Sequence, residues 1–182
     1  MILKQFVIGF LKNNCYVLAD RETREAVIID APKRPAEMID YLQSEGLTPK
    51  YVLITHHHFD HIDGLLAIKE AFPDIKEAQN SIKLGGIDVE VMSTPGHTED
   101  SVCYYLPSES ILFSGDTLFY QNIGRVDYGG NLEQELASIR DKLFTLPPQT
   151  KVYPGHGRPT TIEHEKGHNP YFKKNKSIYR DI

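Results

Sequence analysis

Four of the eight histidines in this 182-residue chain fall in one short stretch, Thr55-His56-His57-His58-Phe59-Asp60-His61. Histidine at 56, 58 and 61 with aspartate at 60 would arise by chance in roughly one such chain in a thousand. The stretch is internal, so an expression tag does not explain it. His56 and His58 stand two apart on what reads as extended backbone, and they therefore point to one side, as two ligands of one ion must. His57 points the other way and is expected to pack or to support a ligand by hydrogen bonding. Three more segments run from an apolar strand into a tight turn that presents a polar residue: Val89-Glu90-Val91-Met92-Ser93-Thr94-Pro95-Gly96-His97, Ile111-Leu112-Phe113-Ser114-Gly115-Asp116 and Val152-Tyr153-Pro154-Gly155-His156. In each, glycine precedes the polar residue and lets the backbone approach a shared centre.

The candidate ligands are His56, His58, Asp60, His61, His97, Asp116 and His156, too many for one tetrahedral ion. The set suits two first-row metals, one held by His56, His58 and His97 and the other by Asp60, His61 and His156, with Asp116 bridging. Ions about 3.5 to 4 Å apart share a water and deprotonate it near neutral pH. Imidazole and carboxylate without cysteine favour zinc, iron or manganese, and the residue types do not choose among them; zinc is the first expectation. The formal charge of −5 would fall to about −2 with two divalent ions and a hydroxide in place.

Elements must converge to position these residues. Short runs rich in Val, Ile and aromatics predict strands at 2–8, 15–18, 26–29, 51–54, 88–92, 102–106, 111–113 and 151–153. Helical spacing predicts helices over 35–46, 65–72 and 132–146, and the polar, basic segment from 160 onward reads as a short helix and a tail. Strands and helices mixed in this order predict one layered α+β domain over 1–182, with 158–182 as a short C-terminal extension. Placing all four ligand segments at strand ends implies a site along one edge.

With 40% hydrophobic and 25% charged residues the composition is that of an ordinary globular protein. The mildly acidic balance gives no pull toward nucleic acid or an anionic membrane. No apolar run approaches a bilayer span, and 6–11 is too short for a signal-peptide core, so a cytoplasmic protein is expected. Cys15 and Cys103 lie in apolar strands and read as buried free thiols.

The motifs H-x-H-x-D-H (His56 to His61), T-P-G-H-T (Thr94 to Thr98), G-D-T-L-F around Asp116 and Y-P-G-H-G (Tyr153 to Gly157) resemble those of the metallo-β-lactamase superfamily. The resemblance implies a four-layered αββα sandwich with a dinuclear site at the edge of two sheets. Within the superfamily the chain is similar to short bacterial hydrolases related to glyoxalase II, through Gly124-Arg125-Val126-Asp127 and through Thr160, Thr161, Ile162, Glu163, Glu165, Lys166, Asn169 and Pro170. That likeness implies hydrolysis of a small-molecule thioester, with S-lactoylglutathione the expected type of substrate and D-lactate and glutathione the products. Asp60 and Asp116 are then the expected catalytic carboxylates, Asp60 orienting the nucleophile.

Two departures stand out. Asp63-Gly64 replaces a common Gly-Gly, and Glu99-Asp100 a common Pro-Gly; the three carboxylates are expected to point outward. Arg125, Arg158 and Lys166 are candidate cations for a substrate carboxylate, although Arg125 could instead pair with Asp127. Persulfide dioxygenase, with one iron on His56, His97 and Asp116, is the main rival, and lactone or ester hydrolysis also fits the ligand types. A β-lactamase is disfavoured, because those enzymes do not use a bridging aspartate at this position and no export signal is seen. The chain ends too soon after His156 for the C-terminal helical domain of full-length glyoxalase II, so substrate recognition is expected to fall on 124–127, the basic tail or a partner subunit.

Overall fold

The structure, a computed structural model, describes residues 1–173. The first sheet runs β1 (Ile2–Ile8), β2 (Asn13–Ala19), β3 (Glu25–Ile29), β4 (Thr48–Leu53), β5 (Lys76–Ala78), in that spatial order. β1 to β3 form an antiparallel meander, and β4 and β5 join in parallel. Parallel neighbours need crossovers. α1 (Ala36–Ser44) supplies the first, and α2 (Phe59–Ile62) with α3 (Leu65–Ala71) the second. The second sheet begins with β6 (Ile82–Leu84), β7 (Ile87–Ser93), β8 (Val102–Leu106) and β9 (Ile111–Gly115), which is followed by a small hairpin, β10 (Leu118–Phe119) and β11 (Asn122–Ile123). α4 (Leu132–Asp141) then leads to β12 (Lys151–Pro154), which lies parallel to β9, and β13 (Thr160–Thr161) and α5 (Ile162–His168) complete the described fold.

Three apolar clusters reveal four layers. Cys15, Val17, Ile28 and Val52 pack with Met38 and Leu42 of α1 and Ile68 of α3. Tyr16, Leu18, Val27, Ile29 and Leu53, the alternate residues of the same strands, meet Val89, Tyr104, Leu106 and Phe113 between the sheets. Cys103, Tyr105, Leu112 and Val152 turn outward from the second sheet onto Ile139 of α4, Leu143 and Ile162 of α5. The period-2 alternation of strand side chains thus sends each central strand into two cores, which is why β2 is buried along its whole length. Each fully buried Leu, Ile or Phe contributes about 1.5 to 3 kcal/mol. The order is helix, sheet, sheet, helix: the αββα sandwich expected from the sequence.

The predicted strand at 51–54 begins earlier, at Thr48. The helix predicted over 132–146 ends at Asp141; Lys142 leaves helical geometry (φ −118°), and a 3₁₀ turn, Leu143–Thr145, follows. Leu143 still reaches the core of Ile139, so the apolar period holds while the helix does not. β5, β6, β10, β11 and β13 span only two or three residues each and were not anticipated. Cys15 and Cys103 are free and buried, and burial pushes the Cys103 thiol up to about 12. No helix among the described residues is long and apolar enough to cross a membrane. Residues 174–182 of the expected tail lie outside the described residues.

Candidate metal centre

The sheets meet along one edge, where the start of β2 touches the end of β12: Asn14 N–H donates to the Gly155 carbonyl at 2.7 Å, and the Asn14 side-chain amide to Pro154 and Gly157 carbonyls at 2.9 and 2.8 Å. The four predicted ligand segments end at this edge. β4 delivers His56 to His58 and α2 carries Asp60 and His61, while the turns after β7, β9 and β12 bring His97, Asp116 and His156.

Three overlapping groups have ligand atoms within 4.8 Å of one another: His56, His58 and His97; His56, His61 and Asp116; Asp60, His61 and His156. Asp116 stands between the first and the last, with Oδ1 3.4 Å from His61 Nε2 and Oδ2 3.7 Å from His97 Nε2 and 3.6 Å from His156 Nε2. Asp60 Oδ2 lies 3.4 Å from His156 Nε2. His58 Nδ1 faces His56 Nε2 at 3.0 Å and His97 Nε2 at 2.9 Å.

The remaining ring nitrogens establish which atoms carry lone pairs. His97 Nδ1 and His156 Nδ1 sit 2.6 and 3.1 Å from the carbonyls of Arg125 and Leu11. A carbonyl only accepts, so each Nδ1 carries a proton, and in the neutral ring Nε2 is the atom left to bind a metal. Asp30 fixes two further rings. Its carboxylate lies 2.8 Å from His61 Nδ1 and takes the Thr55 hydroxyl proton at 2.9 Å. That hydroxyl, its proton spent, can only accept from His56 Nδ1 at 3.1 Å. Four Nε2 atoms, each the donor atom of its neutral ring, therefore converge with His58 Nδ1.

Donor atoms facing one another this closely need cations between them, protons or metal ions. His61 Nε2 and Asp116 Oδ1 are buried without a hydrogen-bond partner, yet they face each other. Buried polar atoms are otherwise paired. The donor set, imidazole and carboxylate with supporting acceptors behind the rings, fits first-row divalent ions.

Charge is distributed unevenly across the centre. Burial, aided by the neighbouring rings, lowers His56 to about 2 and keeps it neutral. Burial likewise lowers His97. Burial opposes a charge on His61, but Asp30 and Asp116 on either side outweigh it and raise its pKa well above the ordinary value. Burial also opposes ionisation of Asp116, yet contact with His61 holds it down to about 2. In Asp60 the hydrogen bonds from His156 and Asn13 overcome burial and lower it.

Close approach explains one glycine: a side chain at Gly155 would collide with Asp116 Oδ1 and come within 2.8 Å of His61 Cε1.

Sequence reasoning missed Asp30, Asn13 and Glu135. Asp30 carried a readable signal, because it too is a polar residue at the end of an apolar strand, β3. Held at φ +61°, it also occupies the left-handed region that aspartate tolerates. Asn13 donates to Asp60 Oδ2 at 2.9 Å. Glu135, buried in α4, accepts the His97 backbone N–H at 2.5 Å, and burial raises its carboxyl to about 8. Nothing in the helical pattern around Glu135 singled it out.

His57 is turned away, with Nδ1 on the Asp100 carboxylate. Asp63, Glu99 and Asp100 are all exposed. Of the three candidate substrate cations, Arg125 pairs with Asp127 at 2.5 and 3.0 Å and lies over Tyr128. Lys166 is not brought to the centre, because its ammonium donates to the Phe144 carbonyl at 2.8 Å. Arg158 lies two residues beyond His156, in a cleft that His156 also lines.

The family model described as Metallo-beta-lactamase superfamily matches residues 8–78 and 73–156. A probable metallo-hydrolase of Bacillus subtilis (strain 168) is 30% identical over 204 residues, covering 92% of this chain and 96% of that protein. A probable hydroxyacylglutathione hydrolase of Schizosaccharomyces pombe is 33% identical over 172 residues, covering 82% of this chain and 65% of that protein. Among solved structures, BLEG-1 B3 metallo-beta-lactamase superposes with a TM-score of 0.87 at 36% identity, over 95% of this chain and all of that one. TTHA1623 in a di-iron-bound form gives a TM-score of 0.79 at 29% identity, over 92% and 99%.

Proposed function

Because the chain belongs to the metallo-beta-lactamase superfamily, we propose that it is a dinuclear metal-dependent hydrolase of the glyoxalase II type, which cleaves a small-molecule thioester such as S-lactoylglutathione. The observation that carries this reading is the place of Asp116, whose two oxygens face His61 on one side and His97 and His156 on the other. In this reading His56, His58 and His97 would hold one ion and Asp60, His61 and His156 the other, with Asp116 placed to serve both. The ions when bound supply a deprotonated water near neutral pH and polarise a carbonyl. Zinc is the metal proposed; the di-iron form of a similar protein makes iron the first alternative to assay.

The chain's own residues do the rest. Asp30, Thr55 and the carbonyls of Leu11 and Arg125 hold protons on the far nitrogens of four rings, which leaves the near nitrogens as the atoms that would bind metal. Asn13 pins Asp60 Oδ2 and leaves the other oxygen of that carboxylate to orient a nucleophile. The leaving thiolate has a free pKa of about 8.5, so no strong general acid is required of the protein. Similarity to a probable hydroxyacylglutathione hydrolase supports the thioester. β-Lactam hydrolysis is the second reading: the aspartate at 116 speaks against it, and the likeness to BLEG-1 B3 metallo-beta-lactamase at 36% identity speaks for it.

The test is metal analysis of the purified protein with three assays: thiol release from S-lactoylglutathione, opening of a chromogenic β-lactam, and oxygen uptake with glutathione persulfide. Two metals per chain with thiol release is the expected result. One iron with oxygen uptake and no thiol release would replace it with persulfide oxidation.

A further inference from the structure

Beside His156, the β10–β11 turn and the β12–β13 turn enclose a cleft of about 410 Å³ lined by Phe119, Tyr120, Asn122, His156, Gly157 and Arg158. None of these residues is acidic. The Arg158 guanidinium lies over Tyr120, 3.5 Å from the ring centroid, and Tyr120 in turn stacks on His164 at 4.9 Å with an 18° tilt. Both turns are anchored from behind. Glu165, fully buried, accepts the Gln121 backbone N–H at 2.9 Å, the Thr160 hydroxyl at 2.6 Å and the Asn169 amide at 2.9 Å. Asn14 holds the Gly157 carbonyl.

A guanidinium laid flat on an aromatic ring keeps its N–H edges free, and its fork matches a carboxylate in bidentate geometry. Prior stacking also reduces the rotamer freedom lost when an anion arrives. Arg125 is committed to Asp127 and Lys166 to a carbonyl, whereas Arg158 has no carboxylate partner among the described residues. The cleft shares His156 with the metal centre, so an anion seated there would lie directly beside the place where a substrate carbonyl is expected.

We propose that Arg158, stacked on Tyr120, receives a carboxylate at the far end of the substrate, so that the site selects carboxylate-bearing thioesters. This rests on the thioester reading above. The carboxylate belongs either to the acyl half or to the thiol half, and three substrates for the metal-loaded enzyme separate these: S-succinyl-N-acetylcysteamine, S-acetylglutathione and the neutral S-acetyl-N-acetylcysteamine.

In Arg158→Ala the ratio of kcat/KM for one carboxylate substrate over the neutral one is expected to fall tenfold or more, mainly through KM, and the substrate affected identifies the half. Tyr120→Ala is expected to reproduce the loss and Tyr120→Phe, which keeps the ring, to rescue it. An unaltered ratio for both carboxylate substrates in Arg158→Ala would overturn the proposal. If the wild type cleaves no thioester, the parent reading fails, and calorimetric titration of metal-loaded protein with succinate and with S-methylglutathione still decides the anion site. Binding of either that weakens with salt and is lost in Arg158→Ala supports it. No binding to wild type, or equal binding to the variant, overturns it.

Discussion

Replacing Asp30 with asparagine tests the logic of the centre, because the change is almost isosteric and touches no proposed ligand atom. Asp30 Oδ1 accepts the Thr55 backbone N–H at 2.8 Å, and Oδ2 faces His61 Nδ1, also at 2.8 Å. An asparagine amide can satisfy only one of these donors. With its oxygen on Thr55, its NH₂ meets His61 Nδ1 and drives that ring's proton to Nε2, the atom aimed at Asp116. With its oxygen on His61, its NH₂ opposes the Thr55 N–H in a buried place. The first orientation spoils a ligand, and loss of such a supporting partner costs about 10- to 100-fold in metal affinity. The second leaves buried donors unpaired, at about 1 to 3 kcal/mol. Both routes meet at roughly a 10- to 100-fold loss, about 1.4 to 2.7 kcal/mol. Chelator competition on the metal-loaded variant measures it, and thermal unfolding of the metal-free variant shows that the fold survives. Asp30→Ala, which strips the partner from a buried pair, is expected to cost about 3 to 5 kcal/mol of stability. Wild-type affinity for both metals in Asp30→Asn would refute the tautomer argument.

Asp116→Ala is expected to lower hydrolysis by at least about 100-fold and to reduce metal content below two per chain by elemental analysis, since the residue faces both ligand groups. His57→Ala is expected to retain most activity in the same assay, because it removes only a half-exposed contact with Asp100, worth about 0 to 1 kcal/mol. Asp20 gives a pH prediction remote from the metals. Amides of Thr23 and Gly86 hold its carboxyl down to about 2 from 3.8, so its contribution is complete above pH 3.8 and is lost as pH falls toward 2. The denaturation midpoints of wild type and Asp20→Asn should therefore differ at pH 5 and converge near pH 2; a constant gap would contradict it.

The fold was legible wherever a strand serves two cores. β2, β3, β4, β8 and β9 are apolar on both faces, and such runs announce themselves in sequence. Lys76-Glu77-Ala78 of β5 has no such signature: it is a short edge strand paired to β4, with Glu77 bound to Lys69 of α3 and Ala78 alone reaching the inter-sheet core. The helix over 132–146 was overextended because Leu136, Ile139 and Leu143 keep one apolar stripe across a change from α to 3₁₀ geometry.

Within the site, ligand types were legible because a first-row metal demands imidazole and carboxylate, and few segments carry them at strand ends. The supports were not, because half of them are backbone carbonyls with no residue type to betray them. Arg125 shows the consequence. Its carbonyl fixes the His97 tautomer, while its side chain reaches outward to Asp127 and Tyr128. Leu11 does the same for His156, with its side chain half exposed. A side chain whose backbone holds a ligand can change without disturbing the metal. The side chains at the rim are thereby separated from the carbonyls that hold the ligand rings, although both belong to the same residues. Among the described residues Asp30 and Thr55 support ligand rings through their side chains, and both are buried. Changes in the side chains of Arg125 and Leu11 can thus leave the carbonyl supports of His97 and His156 in place.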